Sequence, residues 1–286
     1  MREFDEKGIT QAVIARMSDC DDPRFRKVMT SLITHLHDFV REVKLTDAEW
    51  INTLMFLTEV GKTCTPKRQE FILLSDTLGV SILVITLNHP ASGGTTDSTV
   101  LGPYYWEGAP ELPAGANLAT GVKGDPTWYS GRVLGEEGKP IAGAVLDVWS
   151  GDGEGTYDMQ MEGDVGMKAR GRIRTDSEGR YSFWSIRPEH YPVPSDGPVG
   201  VMLRKMGRHA MRPGHIHMIV SAPGHHPITT HLFAAGSQYL DSDAVFGVKD
   251  SLVTGFTRHD AGKAPDGTVK DVPFYSVNYD FRLRPA

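Results

Sequence analysis

The chain has 286 residues, 40% of them hydrophobic and 9% aromatic, which excludes disorder and gives enough apolar material for one large core, or a core with a smaller helical layer. Lys and Arg number 30 against 36 Asp and Glu, so the net charge of −6 offers no basic field to phosphate backbones, and nucleic acid is not expected as a partner. The 31 Gly and 18 Pro follow no period and the two cysteines, Cys20 and Cys64, define no disulfide framework, so a turn-rich, mainly β body with reduced thiols is expected.

The N-terminus, MREFDEKGIT, has acidic residues and no apolar signal segment. No run approaches the roughly 18 apolar residues of a membrane span, so a soluble, cytoplasmic protein without membrane insertion is expected. A short helix is predicted around Val13 and Ile14. From Arg24 to Val43 the residues Phe25, Val28, Met29, Leu32, Ile33, Leu36 and Phe39 form a helical stripe, with Asp22 and Pro23 as cap and first-turn residues. Thr46-x-x-Glu49 is a capping box for a helix over Trp50–Val60, and Thr65-Pro66 opens another carrying Phe71, Leu73, Leu74, Leu78 and Ile82. After Asn88 the tract HPASGGTTDST reads as a linker, and near residue 98 the pattern changes to short alternating runs.

Strands are predicted at 127–134, 144–150, 171–175, 180–186, 199–204, 215–221, 228–234 and 276–283, each bounded by turn residues. The expected organisation is therefore a helical domain and linker over 1–98, then an antiparallel β-sandwich over 99–286.

Within the run HIHMIVS, His215, His217 and Ile219 share one strand face, which sets the two imidazoles roughly 6.5–7 Å apart along the strand. Two ring nitrogens can converge on a metal from there, and imidazole suits Zn, Cu, Fe or Ni; the same spacing also serves two histidines satisfied by neighbouring hydroxyls or carbonyls. The chain has no His-Glu-x-x-His, no Cys cluster and no Gly-x-Ser-x-Gly. The loop GDGEGTYD at 151–158 matches neither a phosphate loop nor a calcium loop, and its glycines shape a turn that aims Tyr157 inward. Tyr191 lies in a loop stiffened by Pro188, Pro192 and Pro194. Taken singly, both tyrosines read as packing residues. His225 and His226 read as turn residues, and His35 and His37 as solvated or packed helix residues.

The order Tyr157, Tyr191, Arg212, His215, His217, in the stretches GDGEGTYD, EHYPVP and RPGHIHM, resembles that of the intradiol ring-cleavage dioxygenases. The resemblance extends over essentially the whole chain, including VLGPYYWEGAP at 100–110, and is closest to the catechol/hydroxyquinol 1,2-dioxygenase branch, in which an N-terminal α-helical dimerisation domain precedes a β-sandwich catalytic domain. It implies a ferric ion held by Tyr157, Tyr191, His215 and His217. Two anionic oxygens stabilise Fe(III), and the ion in turn lowers each phenol pKa from about 10. The resemblance further implies that Tyr191 leaves the metal to accept a substrate proton and that Arg212 stabilises charge on the ring during oxygen attack. The product is a muconate carrying both atoms of O2.

Thr229-Thr230-His231 stands where catechol-cleaving relatives carry Gln in place of the histidine, as in hydroxyquinol-cleaving ones, so His231 is implied to support the site or meet an extra hydroxyl. Asp76 matches a carboxylate that looks over the pocket in the hydroxyquinol branch, on the helix that also brings Leu73. The match places Val100, Leu101, Gly102, Pro103 and Tyr104 in the pocket wall, with Val193, Pro194, Arg212 and Val245 opposite; Tyr104 departs from the usual Phe. The implied substrate is hydroxyquinol (benzene-1,2,4-triol), and the implied partners are O2, a second copy of the chain through the N-terminal helices, and a bound phospholipid. A dioxygenase for catechol or a substituted catechol is the near alternative. A non-catalytic transthyretin-like binding module, suggested by GKPIAGAVLDVW and RTDSEGRYSFW, and a zinc hydrolase built on the two histidines are the others.

Overall fold

The computed structural model describes residues 5–66, 68–90, 93–163 and 165–286. The chain divides into two compact units, Met1–Glu59 and Val60–Ala286. The division falls inside the third helix, so the two helices that precede the linker are grouped with the strands.

The first helices are α1 (Gly8–Ala15), α2 (Pro23–Val43) and α3 (Asp47–Thr63), and the last two start where the cap chemistry dictates. Asp22 Oδ1 accepts the Arg24 and Phe25 amides at 2.8 and 3.0 Å, and Pro23 opens α2. The capping box is closed by Thr46 N–H to Glu49 Oε2 (2.9 Å) and Glu49 N–H to Thr46 Oγ1 (3.3 Å). The α2 stripe remains uncovered: Phe25, Leu32, Leu36 and Phe39 are 56, 47, 53 and 51% exposed. Exposed apolar stripes of this size on amphipathic helices are a common feature of interaction surfaces.

Beyond Glu59 the single helix expected after Pro66 is two, α4 (Glu70–Thr77) and α5 (Val80–Asn88). Gly79, at φ +73°, turns the chain between them, and their axes differ by 77°. Among the described residues no single helix is long and apolar enough to cross a membrane.

The strands are β1 (Glu111–Leu112), β2 (Pro126–Gly135), β3 (Val145–Trp149), β4 (Arg170–Arg174), β5 (Arg180–Ile186), β6 (Tyr191–Pro192), β7 (Met211–Arg212), β8 (His215–Ser221), β9 (Ile228–Ala234), β10 (Val253–Thr254), β11 (Thr257–His259), β12 (Gly262–Lys263), β13 (Val269–Lys270), β14 (Phe274–Asn278) and β15 (Phe281–Leu283). One sheet runs β1-β4-β3-β8-β9-β10; in the other, β2 is flanked by β5 on one side and by β14 and β15 in succession on the other, with β11 beyond β14. The long central pairs are antiparallel as expected, whereas β1 joins β4, β10 joins β9, and β14 and β15 join β2 in parallel. The run 276–283 is broken at Tyr279-Asp280 into β14 and β15.

One expected strand is a helix: 199–204 lies within α6 (Pro198–Lys205). Pro198 fits the first turn, Val199 and Leu203 are buried one helical turn apart, and Arg204 and Lys205 favour the C-terminal end. A six-residue apolar run does not by itself distinguish the two periods.

The core lies between the two sheets. Leu146, Val148, Ile173, Ile216, Met218 and Leu232 of the first meet Tyr129, Val133, Phe183 and Phe281 of the second, all 0–1% exposed. Burying each such side chain contributes about 1.5–3 kcal/mol. Because side chains alternate along a strand, the opposite face of β3, β8 and β9 carries Trp149, His215, His217, His231 and Phe233 outward from the sandwich, where loops bury them.

Candidate metal centre and active site

Strand register assembles the first half of the site. His217 on β8 stands opposite His231 on β9 and Trp149 on β3, and the Trp149 and His217 rings stack at 4.7 Å. His215 and His217 bring Nε2 to within 3.2 Å of Nε2, and His231 lies 4.5 and 4.1 Å from their ring centres. The three histidines are a buried group able to hold a metal ion.

Two loops supply the tyrosines. Tyr157 Oη lies 2.8 Å from His217 Nε2 and 3.4 Å from Tyr191 Oη, and both side chains are buried. The GDGEGTYD turn is folded by Asp152 Oδ1, which accepts the Glu154 and Thr156 amides, both at 2.9 Å. Gly155, at φ +81°, allows its close approach to the second loop, since a Cβ there would stand 2.5 Å from Tyr191 Cβ. Tyr191 pairs with Arg212 across the two-residue ladder of β6 and β7, so two positions 21 apart in sequence meet by register.

The donor set fits a metal. Separations of 2.8, 3.2 and 3.4 Å among Tyr157 Oη, Tyr191 Oη, His215 Nε2 and His217 Nε2 suit an ion with ligand bonds of about 2.0–2.2 Å. His215 Nδ1–H donates to the Pro213 carbonyl at 2.7 Å, which leaves the Nε2 lone pair facing the cluster. Its Nε2 takes Arg212 Nη1–H at 3.1 Å. His217 Nδ1 and both nitrogens of His231 have no hydrogen-bond partner, although the Leu101 and Val100 carbonyls lie near the two rings.

Electrostatics agree with the donor chemistry. Burial and the Arg212 charge push His215 down to about 3, while burial and neighbouring histidines push His217 and His231 well below the ordinary imidazole value. All three rings are therefore neutral near pH 7, the state that binds metal. Burial, with Tyr191 alongside, pushes the Tyr157 phenol well above its usual pKa, so only a strong Lewis acid would ionise it there. Burial opposes the Arg212 charge, and the Asp243 carboxylate outweighs it, so the guanidinium stays protonated.

A cavity of about 280 Å³ opens beside these residues and is lined by four of the expected pocket residues, Leu73, Pro103, Tyr104 and Pro194. Arg68, Glu70, Met159, Gln160 and Asp196 complete much of its wall. Tyr104 stacks on Tyr157 at 4.5 Å, and its hydroxyl is buried without a partner. Asp76, Val100, Val193 and Val245 are buried outside this lining, and Leu101 is 41% exposed. Gly102 packs on His217, whose Cε1 would lie 3.2 Å from a Cβ there. Burial raises the Asp76 carboxyl above its ordinary range, while Ser81 and the Arg212 charge lower it. The remaining histidines are elsewhere: His37 Nδ1 meets Thr10 Oγ1 at 2.9 Å, and His225 Nδ1 donates to the Pro223 carbonyl at 3.0 Å.

Three buried charges were not legible beforehand. Asp243 accepts two hydrogen bonds from Arg212, and Asp158 accepts two from Arg170, with the second pair 1 and 0% exposed. Asp158 also accepts the Met159 and Lys168 amides at 2.8 and 2.9 Å, which anchors the chain directly after Tyr157. No periodicity announces an isolated Asp. Replacing Asp158 by Ala strands a buried guanidinium, so the expected loss is about 3–5 kcal/mol, a fall in Tm of roughly 6–20 °C. Calorimetry of D158A beside the D158L/R170M pair checks this, because removing both charges should restore much of the loss.

Two family models match the chain. The model described as "Dioxygenase" matches residues 100–285, and that described as "Catechol dioxygenase N terminus" matches residues 22–96. The chain is 47% identical over 286 residues to the 6-chlorohydroxyquinol 1,2-dioxygenase of Cupriavidus pinatubonensis, covering 100% of both chains. It is 47% identical over 282 residues to the hydroxyquinol 1,2-dioxygenase of a Rhizobium species, covering 98% of this chain and 96% of that one. The solved structure of the hydroxyquinol 1,2-dioxygenase of Pseudomonas putida superposes with a TM-score of 0.91 at 44% identity, covering 98% of this chain and 99% of the other.

Proposed function

The chain belongs to the intradiol ring-cleavage dioxygenases, and from that membership we propose that it cleaves hydroxyquinol with O2 between the adjacent hydroxyl groups, giving 3-hydroxy-cis,cis-muconate, a tautomer of maleylacetate. The reading is carried by the convergence of Tyr157 Oη, Tyr191 Oη, His215 Nε2 and His217 Nε2 beside a buried Arg212, in a chain whose relatives are named for hydroxyquinols. These four residues would hold the metal, taken as Fe(III) because two phenolic oxygens favour a hard trivalent ion. Bound there, the ion would supply Lewis-acid binding of a vicinal diol and electronic contact between ring and O2.

The chain's own residues do the rest. Tyr191 Oη, next to Tyr157 Oη and on a short ladder, is the acceptor for a substrate hydroxyl proton. Arg212 holds its fixed positive charge where negative charge develops on the ring, and being buried it acts without competition from water. The walls formed by Leu73, Pro103, Tyr104 and Pro194 orient the aromatic plane against Tyr157, and Asp76, buried on the helix that carries Leu73, is the carboxylate assigned to the third ring hydroxyl. His231, stacked against His215, keeps that ring in place rather than binding the ion.

In this reading residues 1–98 serve as the helical domain with its linker and 99–286 as the catalytic domain. The exposed stripe of α2 supports a homodimer, and a cavity of about 420 Å³ lined by Ile9, His37, Val40, Arg41, Leu45 and Trp50 is of a size and character for a lipid chain. The free Cys20 and Cys64 suit a cytoplasmic setting.

The test is O2 uptake by iron-loaded protein with hydroxyquinol and with catechol. The expected outcome is one O2 per ring and a higher kcat/KM for the triol, lost on chelation and restored by iron but not by zinc. A preference for catechol would move the assignment to a catechol dioxygenase, and activity with zinc would end it.

A further inference from the structure

We propose that Asp243 is a positioning residue for the reaction: it fixes the Arg212 guanidinium against the ring and ties that guanidinium to the loop bearing Val245. The role rests on the reading above, in which Arg212 acts on developing charge. Asp243 Oδ1 accepts Arg212 Nε–H at 3.0 Å and the Val245 amide at 3.3 Å, while Oδ2 accepts Arg212 Nη2–H at 3.2 Å and the Gly247 amide at 2.9 Å. Every acceptor direction of the carboxylate is therefore used, two on each oxygen. A planar fork held at two points has one orientation left, and it directs Nη1–H into the cluster, 3.1 Å from His215 Nε2.

The clamp extends past the ion pair. Thr99 Oγ1–H donates to the Gly247 carbonyl at 2.6 Å, so the segment leading into Val100 is joined to the same loop. Gly247 fits tightly against the pair, since a Cβ there would lie 2.9 Å from Arg212 Nη2 and 3.2 Å from Asp243 Oδ2. One carboxylate thus sets the guanidinium, Val245 and Val100 relative to one another from outside the cavity wall. Asparagine cannot take its place, because whichever oxygen becomes an NH2 then faces two donors.

The measurement is a double-variant cycle on iron-loaded protein with D243N, R212Q and the pair, reading kcat and KM for hydroxyquinol, iron content and the visible spectrum with bound catechol. Positioning through Arg212 is expected to lower kcat in D243N by at least about 100-fold, as when a preorganised donor to developing charge is removed. KM, iron content and the catechol spectrum should stay close to wild type, which a merely structural role would not allow. Adding D243N to R212Q should lower kcat no further, and this comparison holds even where D243N alone folds poorly, because the pair buries no stranded charge. Losses that multiply in the pair, or a D243N enzyme with wild-type kcat, overturn the role. Wild-type turnover in the same assay keeps the two readings apart: an iron-loaded but inert wild type overturns the reaction and this role with it, whereas an active wild type with multiplying losses overturns this role alone.

Discussion

Replacing Tyr157 by Phe is expected to empty the metal centre and abolish its colour. The variant removes one hydroxyl from a packed ring, and the Tyr104 stack at 4.5 Å can survive the change, so the fold should persist. What disappears is the phenolic oxygen 2.8 Å from His217 Nε2, the atom that in the proposed reading would bind the metal as an anion. A fall in kcat on the order of 1,000-fold is expected, above the roughly 10- to 100-fold seen when only a residue supporting a ligand is removed. Iron content and the phenolate-to-iron band should fall together. The histidine cluster sharpens the test, since His215, His217 and His231 by themselves are placed to hold an ion. If they alone held it, Y157F would keep its iron and H231Q would lose it. The expected order is the reverse, with H231Q retaining iron, because His231 stacks face-on against His215 with a 17° interplanar angle.

What could be read from sequence, and what could not, follows from the range of each interaction. The His215–His217 pair was visible because a strand repeats every two residues and nothing further is needed to put both rings on one face. The caps of α2 and α3 were visible for the same reason, as their donors and acceptors lie within three residues. The meeting of Tyr191 with Arg212 depends on ladder register, and only the resemblance to a family brought the two together in advance. Asp243 and Asp158 were silent because their partners lie 31 and 12 positions away and no spacing rule connects them. The helix read as a strand at 199–204 and the break at Gly79 show the remaining limit. A short apolar run fits either period, and a turn within an apolar tract is decided by what the two halves pack against.

Asp76 carries the largest expected change in substrate choice. It is 4% exposed on α4, the helix that also sends Leu73 into the cavity, and its charge is felt at Arg212 and Asp243. A hydrogen bond from a ring hydroxyl to a carboxylate contributes about 1.5–3 kcal/mol, so D76N should lower kcat/KM for hydroxyquinol by roughly 10- to 150-fold. Catechol has no hydroxyl to lose there, and its kcat/KM should hold or rise, since it forgoes no hydrogen bond to the carboxylate when Asp76 is replaced. Equal losses on both substrates would reduce Asp76 to a support of the fold. A second readout is independent of turnover. Because burial raises the folded-state pKa of Asp76, the folded protein takes up this proton more readily than the unfolded chain, and the stability this gives is lost as pH rises through that raised value. Asn carries no such penalty, so the Tm of D76N relative to wild type should increase as pH rises from the acid side toward neutrality, and a flat difference would mean that the carboxylate is compensated in the free protein and that its selectivity arises only on binding.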